Sequence, residues 1–122
     1  MLLMAVTQIV LAGDFEDGAT ALIRSDYGTA LVKFNRAAQQ GNSDAQNNLG
    51  FMYLNGMGVA QDYKEAVRWF RMAAAQGNAY SQSHLGRMYR NGWGVAQNYT
   101  ESVHWYTLAA EQGIAKDRKS VV

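Results

Sequence analysis

The chain has no cysteine and no proline among its 122 residues. Without cysteine it has no disulfide framework and no thiolate metal site. Without proline, helix ends fall to glycine, asparagine and aspartate. An excess of either charge is also missing: 11 Lys and Arg stand against 10 Asp and Glu, interspersed, for a net charge of +1. That balance offers no electrostatic footprint for nucleic acid or for an anionic membrane. No apolar run reaches the ~20 residues of a membrane-spanning helix. Hydrophobic content of 48% nevertheless argues against general disorder.

What the chain does have is repetition. Gly41–Gln76 laid over Gly77–Gln112 leaves 20 of 36 positions identical, among them Gly50/Gly86, Tyr53/Tyr89, Gly58/Gly94 and Trp69/Trp105. Self-similarity at a fixed period of this size marks a stacked-repeat protein, in which each unit buries its apolar face on its neighbour. Residues 14–40 read as a degenerate first unit. Tyr27, Ala30, Phe34, Ala37, Ala38 and Gly41 keep the 36-residue offset to Tyr63, Ala66, Phe70, Ala73, Ala74 and Gly77, but the connection upstream of Tyr27 is shorter by four residues. The expected organisation is therefore a leading segment 1–12 and a single domain over 13–122. That domain contains the first unit, repeats at 41–76 and 77–112, and a tail at 113–122.

Each full unit reads as two helices. Helix A is expected over Ser43–Asn55 and again over Ala79–Asn91, with Asn42 and Asn78 as N-caps and Gly56 and Gly92 as stops. Helix B opens on Asp62 or Asn98, and Glu65 or Glu101 three residues later predicts a capping box. Gly50 and Gly86 lie mid-helix, where glycine costs ~1 kcal/mol relative to alanine. Their recurrence predicts a helix passing too close for a side chain. Trp69, Trp105, Tyr53 and Tyr89 are expected to fill the space around those contacts, and Trp69→Ala to unfold the chain.

The two ends leave alternatives open. Met1–Ala12 (MLLMAVTQIVLA) reads as the apolar region of a secretory signal peptide, although the basic start such a peptide carries is absent. It also reads as a helix packing on the first unit, with Leu2, Val6, Ile9 and Gly13 at helical spacing. Export to the periplasm or the medium is the expectation under the first reading, and a cytoplasmic location under the second. At the other end Gly113 begins a third copy of the helix A opening, but Ile114–Lys119 departs from the pattern. That leaves the last unit without a polar cap, so self-association through that face, or a missing continuation, is expected.

The pattern carried by Ala45, Gln46, Leu49, Gly50, Met52, Tyr53, Gly56, Gly58, Val59, Asp62, Tyr63, Ala66, Trp69, Phe70, Ala73, Ala74 and Gly77 resembles the Sel1-like repeat family, a relative of the tetratricopeptide repeat. The second copy departs at Ser81, Asn98, Ser102 and Tyr106. The resemblance implies an all-α fold, a right-handed α-solenoid of stacked antiparallel helix pairs. It also implies a non-enzymatic adaptor or scaffold for a protein or peptide, often exported in bacteria. The cysteine-rich subgroup that looks able to bind β-lactams has a disulfide in each repeat, which this chain lacks.

By the same analogy helix A lines a concave, partner-binding face, with Asn47, Phe51 and Leu54 in one copy and Ser83, Arg87 and Arg90 in the other. These positions differ between copies while the scaffold around them does not. Such variation suits a binding surface, and it also suits drift on a solvated one. Arg87 and Arg90, at i and i+3, could form a fork for a carboxylate or an acidic peptide. Trp93, in the loop, is a further candidate contact. His84 and His104 lie on different helices with no ligand partner at metal-binding spacing, so neither a metal nor another cofactor is expected. No nucleophile pairs with either histidine, so no catalytic residue is expected. Gly56-x-Gly58 and Gly92-x-Gly94 lack the strand and the Gly-Lys-Ser/Thr of a phosphate loop and read as helix stops. Two other classes remain as alternatives: a small envelope hydrolase, and a structural fragment of a longer array.

Overall fold

The computed structural model describes the backbone of residues 2–121 and the side chains of residues 13–113. Among the described residues there are six helices: α1 (Leu2–Ile23), α2 (Tyr27–Gln39), α3 (Ser43–Asn55), α4 (Tyr63–Ala75), α5 (Ala79–Asn91) and α6 (Tyr99–Val121). No strand occurs among the described residues. Consecutive helices pack on one another from end to end, so the molecule is an all-α solenoid of three helix pairs.

Local chemistry sets each boundary. Asn42 and Asn78 accept the amides of Ala45 and Ser81 and so start α3 and α5. The same two asparagines close the preceding helices. The N–H of Asn42 donates to the Ala37 carbonyl and that of Gly41 to Ala38, with Gly41 at φ 92; Asn78 and Gly77 repeat the arrangement on Ala73 and Ala74. One Gly-Asn pair thus ends helix B of one unit and begins helix A of the next. At Gly113-Ile114 no asparagine is available, and α6 runs on without a turn to Val121.

The expected capping box is only half made. Asp62 accepts the Glu65 amide and Asn98 the Glu101 amide, but the Glu65 carboxylate turns to Arg68. The return bond has no donor to reach, because the N–H of Asp62 is already held by the Tyr53 carbonyl and that of Asn98 by Tyr89. In the first unit Asp26 donates to the Ala21 carbonyl in the same way. Its shorter connection closes through Ser25 at φ 60, a conformation the later loops assign to glycine.

The neighbour that excludes a side chain at the mid-helix glycines is an aromatic ring of the unit's own helix B. A Cβ on Gly50 would lie 2.6 Å from the Phe70 ring, and one on Gly86 2.8 Å from Tyr106. Gly18 meets Phe34 at 2.7 Å, so all three pairs share this contact. Ser102, which replaces Ala66, is buried and donates its hydroxyl to the Gly86 carbonyl at 2.8 Å. It thereby satisfies the polar group it brings inside.

Two apolar clusters form the joints between units. Trp69 packs with Ala30, Phe34, Ala38, Leu49 and Met52; Trp105 packs against Ala66, Phe70, Ala74, Leu85 and Met88. Each residue of the second set lies 36 positions after its counterpart, so the two tryptophans have matching surroundings. Buried glutamines tie the joints across. Gln46 donates to the Ala38 carbonyl and accepts from Gln76, while Gln82 donates to Ala74 and accepts from Gln112.

Candidate functional site

Of the six helix A positions expected on a concave face, Asn47 and Leu54 meet the next unit, while Phe51, Ser83, Arg87 and Arg90 are exposed. Asn47 accepts a 2.8 Å hydrogen bond from the Ser81 hydroxyl of the next unit. Leu54 is 4% exposed and belongs to the cluster of the second joint, together with Val67, Leu85 and Trp93. Leu54 is thus closed to a partner, and half-buried Asn47 has its amide oxygen engaged by the next unit, which corrects the expectation of an open concave face at these two positions. The tetratricopeptide analogy misplaced them because each loop between helices folds over the preceding unit. The second glycine of the loop, Gly94 at φ 72, sits so close to the Tyr63 carbonyl that a Cβ would approach it to 2.5 Å. The adjacent Trp93 ring stacks on Tyr63 at 5.3 Å and 13°. The loop and α5 together cover the face that carries positions 47 and 54.

Phe51 sits at the rim of this joint. It is partly exposed and lies 6.2 Å from His84 on α5. His84 in turn stacks on Phe70 at 4.6 Å and 20°. Burial among these rings, with the charge of Arg87 added, pushes His84 down to about 4 from its ordinary 6.5, so it is neutral near pH 7.

Ser83, Arg87 and Arg90 are exposed, because among the described residues no helix covers the face of α5 that carries them. Arg87 holds its guanidinium 5.4 Å over the Trp93 ring. Among the described residues neither arginine forms an ion pair, and neither guanidinium makes a hydrogen bond. Tyr63, Trp93 and Arg87 therefore form one layered stack that leaves the Arg87 donors unpaired among the described residues. Arg90 lies one turn further along α5. The polar character of this trio beside the apolar Phe51 and Leu54 is the sequence signal that these positions are more exposed in the second copy than in the first.

Other features carry less chemistry. A polar cleft of about 250 Å³ runs between the starts of α3 and α5, lined by Asp44, Gln76, Asn78, Tyr80 and Gln112 among others. Asp44 there already accepts from Asn78 at 2.9 Å. No group of three or more metal-ligating side chains is gathered among the described residues, and no helix among them is long and apolar enough to cross a membrane.

A family model described as Sel1 repeat matches residues 43–78 and 79–114. No curated protein matches the chain. Among solved structures, a protective antigen of uropathogenic Escherichia coli strains, displaying an SLR fold, is similar at 37% identity and a TM-score of 0.83. The match covers 89% of this chain and 24% of that one. A Sel1 repeat protein from Oxalobacter formigenes is also 37% identical, with a TM-score of 0.75, over 78% of this chain and 39% of that one. The chain thus spans well under half the length of either. With the repeat model matched twice, over more than half of its residues, the chain belongs to the Sel1 repeat family.

Proposed function

We propose that the chain is a non-catalytic scaffold that binds a protein or peptide partner along the open edge of α5. Phe51, Ser83, Arg87 and Arg90 supply the contacts. The observation that carries this reading is the Arg87 guanidinium, laid over Trp93 with its donors unpaired among the described residues. An arginine whose side chain is already ordered on an aromatic face loses less freedom on binding a carboxylate. Phe51 and the neutral His84 add apolar area at the same rim.

Affinity capture with the wild-type chain and with an Arg87→Glu, Arg90→Glu double variant tests it. Loss of the captured partner in the variant is expected, and equal capture by both refutes the edge as the binding surface. We further propose that residues 1–12 direct export, on the strength of their apolar, uncharged composition. Recovery of the chain in the cytoplasmic fraction alone would refute that.

A further inference from the structure

The last helix pair exposes a face that the pair before it keeps covered. Val67 is 2% exposed and Tyr63 is half-buried, because the α5 loop seats Trp93 and Val95 over them. Their counterparts on α6, Val103 and Tyr99, are 65% and 64% exposed. On the helix A side, the counterparts of Phe51 and Leu54 are Arg87 and Arg90. The uncovered face is therefore half apolar, on α6, and half cationic, on α5.

We infer that this face docks an amphipathic helix of a partner protein, seated on α5–α6 as α5 is seated on α3–α4. Carboxylates of that helix meet Arg87 and Arg90, and its apolar stripe covers Tyr99 and Val103. This rests on the scaffold reading above and specifies the occupant. Two observations select it. The internal joint shows the same surface, one unit earlier, covered by a helix with a hydroxyl reaching Asn47, and Ser83 stands in the place of Asn47. The exchange of Phe51 and Leu54 for arginines then sets the sign of the partner. An apolar helix would leave two cations desolvated and unpaired, and a face-to-face second copy would bring four arginines together; both are unfavourable.

The probe is a lactam-stapled peptide helix of about 18 residues, or five turns. It carries two glutamates three residues apart beside a leucine-valine stripe. A matched peptide has lysines in place of the glutamates. Saturable shifts of the Arg87, Arg90, Tyr99 and Val103 amide resonances are expected with the acidic peptide. Binding about tenfold weaker is expected for the lysine peptide, for Arg90→Glu and for Val103→Glu. Val103 is exposed, so its substitution leaves the fold intact.

Absence of saturable shifts, or equal binding of both peptides, overturns the inference. So does concentration-dependent dimerisation in sedimentation that Val103→Glu abolishes, because the occupant is then a second copy. A captured partner that depends on Arg87 but is indifferent to Val103→Glu overturns this inference and leaves the scaffold reading standing. A partner indifferent to all three substitutions removes both.

Discussion

Trp69 and Trp105 occupy matching places in successive joints, yet they differ in how much surrounds them. Trp69 is 6% exposed, whereas Trp105, in the last pair, is only half-buried. Truncating a buried aromatic costs ~3–5 kcal/mol, a large share of the ~5–15 kcal/mol that a domain has in total. Urea denaturation of Trp69→Ala should show a chain largely unfolded before denaturant is added. Trp105→Ala should stay folded, with a smaller loss. Also at this scale, His84 titrates near 4 when folded and near 6.5 when unfolded. Between those values the unfolded chain binds a proton that the folded chain does not. Stability is therefore intact above pH 6.5 and declines as pH falls toward 4. His84→Asn, which restores the residue found at position 48, should flatten that decline in denaturation midpoints measured across the window.

At the scale of the element, each helix pair is locked by a glycine under an aromatic ring. Alanine at position 50 would gain ~1 kcal/mol of helix propensity, but its Cβ would meet the buried Phe70 ring at 2.6 Å. Overpacking of this kind typically costs ~1–3 kcal/mol, so Gly50→Ala should lower the melting temperature, and adding Phe70→Leu should restore part of it. Gly86→Ala should be milder, because Tyr106 is half-buried and has room to give. The elements themselves were legible in the sequence. Helix A was expected over Ser43–Asn55 and Ala79–Asn91, and α3 and α5 have those bounds. Asparagine caps and glycines at positive φ act over three or four residues, and the sequence states them twice. The capping box was misjudged because the donor it needs is taken by Tyr53 or Tyr89, nine residues upstream, which only the folded loop reveals.

At the scale of the whole molecule, the stack is unequal from end to end. Phe70, Ala73 and Ala74 are buried, while Tyr106 and Ala109 are half-buried and Ala110 is exposed. In a linear stack each unit is stabilised by its neighbours, and a unit with one neighbour opens more easily. Amide hydrogen exchange should therefore run faster in α5 and the start of α6 than in α3 and α4. Addition of the acidic helix probe should slow it there if that face is its seat. By itself, the sequence determined the helical repeat, the bounds of helix A in both full copies, and which aromatic residues stand in the joints, because those features follow from short-range hydrogen bonding and a repeated apolar pattern; that α1 and α6 run unbroken through residues 12–13 and 113–114 it did not state. Only the tertiary structure decided which side of helix A faces the next unit. That rotation is set by Gly94 pressed on the Tyr63 carbonyl and Trp93 stacked on the Tyr63 ring, contacts between residues some thirty positions apart. Those contacts bury Leu54 in a joint, set Asn47 against the next unit, and leave Arg87 and Arg90 in the open.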